Sequence, residues 1–155
     1  MSNASQKPNK QPISILAVIH DLDGSVLLLN RCDAPGFWQS VTGSREGDET
    51  LMDTALREVW EETGIKATRE QLCDWKLTNE YEIYERWRHR YPPGVCVNTE
   101  HVFSLCIARD TQISLQPKEH SESIWLPAFI AAEKVFSPSN KEAIVMLPDK
   151  GRFDV

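Results

Sequence analysis

Glu58, Glu61 and Glu62 stand at i, i+3 and i+4, a spacing that puts three carboxylates on one face of a helix. At neutral pH they repel one another. Arg57 can offset part of that charge through an i, i+4 pairing with Glu61. One reading is a solvated acidic face, the ordinary fate of a run of glutamates. The other is a site for hard cations such as Mg²⁺ or Mn²⁺, which take oxygen ligands and keep water and substrate phosphates in their shell. The second reading is favoured because the trio sits inside a longer ordered pattern. Gly43 is followed six residues later by Glu49. A seven-residue spacer then leads to Arg57-Glu58-Val59-Trp60-Glu61-Glu62-Thr63-Gly64-Ile65.

The elements needed to position these groups are legible around them. Thr50 is a helix N-cap, with Asp53 three residues on in capping-box position. Acidic residues crowd the helix start, where the macrodipole favours them. Met52, Ala55, Leu56 and Val59 recur at i, i+3, i+4 and i+7, one apolar stripe for a core. Gly64 falls where a helix end wants a left-handed residue. The spacing therefore predicts a helix running from Thr50 to Gly64, with its carboxylates beside its apolar face.

The pattern from Gly43 to Ile65 resembles the signature of the Nudix hydrolases at every fixed position: Gly, five residues, Glu, seven residues, Arg-Glu, an aliphatic, any residue, Glu-Glu, any residue, Gly, an aliphatic. The resemblance implies hydrolysis of a phosphoanhydride bond in a nucleoside-diphosphate-like compound with a divalent metal. It implies an α/β fold, an α/β/α sandwich around a mixed β-sheet.

Two further segments narrow the resemblance. Phe37-Trp38-Gln39-Ser40-Val41-Thr42-Gly43-Ser44 and Arg88-His89-Arg90-Tyr91-Pro92-Pro93-Gly94-Val95, with Asn98-Thr99-Glu100, are similar to bacterial dihydroneopterin triphosphate pyrophosphohydrolases. These are also described as dATP pyrophosphohydrolases. The similarity spans about Pro12 to Ile144. It implies release of pyrophosphate from dihydroneopterin triphosphate, a step of folate synthesis. It further implies Mg²⁺ on Glu58 and Glu62, with a third ligand from the pair Glu119-His120. Substrate contacts fall on Lys10, Arg31, Thr42, Ser137 and the segment Tyr81-Glu82-Ile83-Tyr84.

In this reading Glu58, Glu62 and Glu61 hold two or more Mg²⁺ ions, with Mn²⁺ as a substitute and Glu119 as a further ligand. Metal lowers the pKa of bound water and neutralises phosphate charge. Either Glu119 or Glu61 takes the proton from the attacking water, and Arg57 is counted with them as a catalytic candidate. Arg31 at a strand end is a candidate phosphate clamp. Arg86, Arg88, Arg90 and His89 are either an exposed basic edge or a steering field for a triphosphate. Trp38, Trp87 and Trp125 read as packing residues, with Trp87 the one best placed to touch a ligand.

The remaining chain frames one domain. Its 155 residues carry a net charge of −6, which argues against general nucleic-acid binding. A polyphosphate partner remains compatible, because bound metal inverts the local field. Cys32, Cys73, Cys96 and Cys106 form no C-x-x-C pair and read as reduced thiols of a cytoplasmic protein. No apolar run approaches membrane-helix length. We expect a polar tail over 1–11, a single domain over 12–148 and a short tail over 149–155. Expected strands are Ile13–His20, Ser25–Arg31, Phe37–Thr42, Glu80–Glu85, His101–Ala108 and Ser123–Leu126. Expected helices beyond the first are Pro127–Lys134 and Pro138–Leu147, the latter capped by Ser137. The functional alternatives are a nucleotide pyrophosphohydrolase acting on dATP or oxidised nucleotides, a dinucleoside polyphosphate hydrolase and a non-catalytic ligand sensor. Sensors usually lose signature glutamates, and this chain keeps them. A proline after the signature would suggest ADP-ribose, but none lies between Gly64 and Pro92.

Overall fold

A computed structural model of the protein describes residues 9–155. Most of the expected N-terminal tail, residues 1–8, lies outside the described residues. The next residues are tied down. Lys10 donates its backbone N–H to the Arg90 carbonyl at 2.7 Å, and Gln11 bonds both Gly47 and Arg45.

The strands are β1 Ile13–His20, β2 Ser25–Arg31, β3 Trp38–Gln39, β4 Val41–Ser44, β5 Leu72–Glu82, β6 Val97–Cys106 and β7 His120–Pro127. The helices are α1 Leu51–Thr63, α2 Ala128–Lys134 and α3 Pro138–Lys150. A 3₁₀ turn covers Glu85–Arg90. β1 pairs in parallel with β6, and every other pairing in the seven-stranded sheet is antiparallel, so the sheet is mixed as expected.

β1 is apolar over nearly its whole length because both its faces are covered. Ile15, Ala17 and Ile19 pack with Phe103 and Leu105 against Ala55 and Val59 of α1. Leu16, Val18 and Val102 face the other way, onto Ala131, Ala143, Ile144 and Leu147 of α2 and α3. These are the two helical layers of an α/β/α sandwich.

α1 begins and ends as its residues dictate. Thr50 accepts the Asp53 N–H at 3.1 Å, and Gly64 closes the helix at φ 76°. The capping box is only half made, because the Asp53 carboxylate turns to Arg69 instead of back to the cap.

Several boundaries differ from expectation. The expected strand Phe37–Thr42 is two short strands, β3 paired with β2 and β4 paired with β1, and β7 begins at His120, before Ser123. β5 starts at Leu72, far before Glu80, because a bulge between Asp74 and Thr78, with Lys76 at φ 53°, breaks the two-residue alternation. It ends at Glu82, before Glu85, which instead opens the 3₁₀ turn. β6 starts at Val97, and its polar first residues are buried facing a cavity. α3 continues to Lys150, and the residues after it pack back, with Phe153 against the His20 ring at 4.5 Å.

Candidate active site

α1 and β4 meet where the signature loop folds over the helix. Arg57 ties the two together. Its Nε and Nη2 donate to both oxygens of Glu49 at 2.8 and 2.9 Å, and Nη2 also reaches the Ser44 carbonyl at 3.0 Å. Its Nη1 contacts Glu58 at 2.6 Å and Glu61 at 3.3 Å. The expected Arg57–Glu61 pairing is therefore present but is the weaker end of a larger network. Arg57 is placed as the clamp of the loop rather than as a group facing a substrate.

Glu58 and Glu62 lie on the buried side of α1, 9% and 2% exposed. Burial is the main force raising both carboxyls above their ordinary range, and for Glu62 repulsion from Glu58 adds to it. Arg57 opposes the shift at Glu58, and the Thr42 backbone opposes it at Glu62. Oε1 of Glu62 has no hydrogen-bond partner among the described residues. The nearest nitrogen is Nε2 of His120 at 3.9 Å. That is no ion pair at neutral pH, since burial and Arg31 push the His120 pKa down to about 4. A buried, mutually repelling carboxyl pair with an orphaned oxygen is the donor chemistry a hard divalent cation satisfies.

The other two expected ligands are placed differently. Glu61 is half-exposed and shared with Arg57. Glu119 is exposed on the loop before β7, and its charge acts on Glu62. Among the described residues, no three His, Cys, Asp or Glu side chains are gathered as a ready-made metal cage. Glu58 and Glu62 are the two carboxyls that the fold brings together, and waters and phosphates can complete the shell of a cation held by so few protein ligands.

Beside Thr42 and Gly43 opens a cavity of about 420 Å³. All eight expected substrate contacts line it: Lys10, Arg31, Thr42, Tyr81, Glu82, Ile83, Tyr84 and Ser137. Residues distant in sequence converge here because β1, β4, β5 and the start of α3 all end at this rim. Burial, followed by Arg90, lowers the Lys10 pKa to about 8. The Arg31 guanidinium is held by Asp33 through two 2.7 Å bonds, donates to Oε1 of Gln39 at 3.2 Å, and stacks on Trp87 at 4.5 Å. Ser137 both lines the cavity and caps α3, accepting the Asn140 N–H at 3.4 Å.

Of the basic segment, Arg90 lines the cavity. Arg86 packs on the Phe37 and Trp87 rings, while Arg88 bonds the Ile83 carbonyl. Trp87 reaches the cavity wall, but Tyr84 stacks on it at 5.4 Å with Arg31 also over the ring, so it packs the wall. Trp38 and Trp125 are partly buried against the two cores. Asn98 and Glu100, which the sequence offers only as part of the subfamily resemblance, also line the cavity, and so do Ser14, Asn79, Ser139 and Asn140, which no motif singles out. Their signal is weak, since single polar residues in a strand or at a helix start look like an element's end.

A NUDIX domain family model matches residues 10–145. The chain belongs to the Nudix family. It is 48% identical over 141 residues to the dihydroneopterin triphosphate diphosphatase of Escherichia coli (strain K12), covering 89% of this chain and 93% of that protein. It is 40% identical over 134 residues to the enzyme of the same name from Haemophilus influenzae, covering 84% of each. The solved structure of the E. coli dihydroneopterin triphosphate pyrophosphohydrolase superposes with a TM-score of 0.84 at 46% identity, over 93% of this chain and 98% of that one. This Nudix protein is accordingly a hydrolase of phosphoanhydride bonds.

Proposed function

We propose that this protein hydrolyses dihydroneopterin triphosphate to dihydroneopterin monophosphate and pyrophosphate, with Mg²⁺ as the metal and Mn²⁺ as a substitute, in the folate pathway of the cytoplasm. The observation that carries the reading is the cavity. The eight residues implied by the subfamily resemblance line it together, and Gly43 and Thr42 of its lining adjoin Glu58 and Glu62. The relatives that share the chain's length at 40–48% identity are named for this substrate.

Glu58 and Glu62 would hold the metal, with Glu61 and Glu119 at its margin. Bound there, it would neutralise phosphate charge and lower the pKa of water. The protein's own groups do the rest. Lys10 and Arg90 set positive charge at the cavity for the phosphates. Arg57 is not spent on substrate: it fixes Glu49, Glu58 and the loop carbonyl of Ser44. Glu119 receives the proton of the attacking water. It is favoured over Glu61 because Glu61 already accepts from Arg57, whereas Glu119 is solvent-facing and close enough to act on Glu62. Positioning and electrostatics of this kind supply most of the catalysis in phosphoryl chemistry.

Two measurements test the reading. Hydrolysis in ¹⁸O-water should place label in the monophosphate or in pyrophosphate; label confined to orthophosphate would refute the cleavage. In a substrate panel, kcat/KM for dihydroneopterin triphosphate should exceed that for dATP and for a dinucleoside polyphosphate. A dATP preference would move the assignment to a nucleotide pyrophosphohydrolase. No helix among the described residues is long and apolar enough to cross a membrane.

A further inference from the structure

One face of the sheet changes character beneath the start of α3. On β1 the residues turned to that side run Val18, Leu16, Ser14; on β6 they run Val102, Glu100, Asn98. Under the body of α3 they are apolar core. Toward the cavity they become polar yet stay buried, with Glu100 3% and Asn98 1% exposed. Burying a carboxyl and an amide costs free energy unless hydrogen bonds replace water. Here the replacement is incomplete. Asn98 donates from Nδ2 to Ser14 Oγ at 2.7 Å and to the Tyr81 hydroxyl at 3.0 Å. In the orientation those bonds define, its Oδ1 has no partner, and neither has Oε1 of Glu100. Burial raises the Glu100 carboxyl, and the neutral groups Ser139 and Asn79 offset only part of that. Glu100, Asn98 and all four of these neighbours line the cavity.

Two buried acceptor oxygens, Oδ1 of Asn98 and Oε1 of Glu100, left without a donor among the described residues are shaped for a ligand that brings donors. We propose that Glu100, with Asn98 beside it, reads the substrate's ring by accepting hydrogen bonds from adjacent N–H groups, as on the 2-amino-N3 edge of a reduced pterin or the equivalent edge of guanine. This rests on the reading of the cavity as the substrate site. An adenine ring sets an unprotonated nitrogen next to its amino group, so it would aim a lone pair at the carboxylate. A site that hydrogen-bonds one ring edge discriminates strongly against a ring that leaves its buried groups unpaired. The same cavity reaches Thr42 and Gly43 next to the metal-ligand pair, so one molecule can place its ring at Glu100 and its phosphates at Glu58 and Glu62.

Glu100→Gln tests this, because it keeps the shape and replaces one acceptor by an N–H₂ donor. The ratio of kcat/KM for dihydroneopterin triphosphate to that for dATP should fall at least tenfold, chiefly through KM. A structural role would lower both values together and leave the ratio unchanged, and that result overturns the proposal. A second arm needs neither metal nor turnover. Free dihydroneopterin and adenosine are titrated in chelator into wild-type protein and into Glu100→Gln. Dihydroneopterin should bind the wild type at least tenfold tighter than adenosine, and the variant should lose that margin. Equal binding of the two rings to the wild type overturns the assignment even if Glu100→Gln fails to fold. Ring selectivity that depends on Glu100 in a protein inactive on dihydroneopterin triphosphate would uphold the ring site while refuting the proposed reaction.

Discussion

Gly43 is glycine because Glu58 occupies the space its side chain would fill: a Cβ there would lie 1.5 Å from Oε2 of Glu58 and 2.0 Å from Cδ. The clash is with the end of a flexible side chain, so the fold can survive it while the carboxylate cannot stay in place. Gly43→Ala should therefore keep the thermal midpoint within a few degrees, yet weaken Mn²⁺ binding and lower kcat/KM by roughly 10²-fold, the scale for loss of metal-site support. Mn²⁺ titration by electron paramagnetic resonance, beside a melting curve, separates these effects. Unchanged metal affinity would show that Glu58 is not a ligand.

How much of this was legible in the sequence depends on what each residue faces. α1 was readable because Thr50, the stripe Met52-Ala55-Leu56-Val59 and Gly64 all agree. β1 and β2 were readable from their apolar runs. The first half of β5 was not, because the bulge before Thr78 destroys alternation. The start of β6 was not, because Asn98 and Glu100 face a cavity instead of a core, and buried polar residues mimic a loop. Glu58 and Glu62 stood out by spacing alone. Lys10, Thr42 and Ser137 carry no local signal of a shared site; only the resemblance groups them, and all three line the same cavity.

Glu62→Gln replaces a buried carboxyl whose Oε1 lacks a hydrogen-bond partner among the described residues. It should lower kcat on the order of 10²–10³-fold or more, the loss seen when one element of electrostatic stabilisation is removed. The metal-free variant should melt at the same temperature as the wild type or higher, because the uncompensated carboxyl is gone. Mg²⁺ should raise the melting temperature of the wild type and not that of the variant. Calorimetry with and without chelator checks both, and equal Mg²⁺ protection of the two proteins would contradict the assigned ligand.

Glu119→Gln and Glu61→Gln divide the proton-acceptor role. Loss of a general base costs typically 10²–10⁴-fold. If Glu119 is the acceptor, its variant should show that loss in kcat with substrate KM little changed. Glu61→Gln should lose less, since it gives up only a margin contact and an Arg57 bond. The reverse order in steady-state kinetics would move the role to Glu61.

Glu49 and Arg57 form the strongest pairing of the loop, with the Glu49 carboxylate in two guanidinium bonds and only partly exposed. The Arg57 bond is the main cause holding its pKa at about 2, below the ordinary 4.5. A depressed carboxylate stabilises the fold fully above its unfolded pKa, and the contribution is lost as pH falls from about 4.5 toward 2. Glu49→Gln should cost about 2 kcal/mol at pH 7, the scale of a charge-assisted bond. Urea unfolding at pH 7 and near pH 3 should show the gap between variant and wild type narrowing in acid. A gap independent of pH would mean the loss comes from packing rather than charge.

Lys10 should set the alkaline limit of kcat/KM. Burial, then the nearby Arg90, lower its pKa to about 8, so in the free enzyme the ammonium loses its proton as pH rises through that value. Since kcat/KM reports the free enzyme, it should bend near pH 8 and fall tenfold per unit above. Lys10→Met should be lower at pH 7 by roughly 10- to 100-fold, matching a lost charge-assisted bond to phosphate of about 1.5–3 kcal/mol, and should show no bend. Lys10→Arg keeps a cation that does not titrate in this range, so it should retain activity and move the bend out of view. A pH profile of kcat/KM for the three proteins decides it: a bend that persists in Lys10→Met belongs to another group, and Lys10 would then have no part in holding the phosphates.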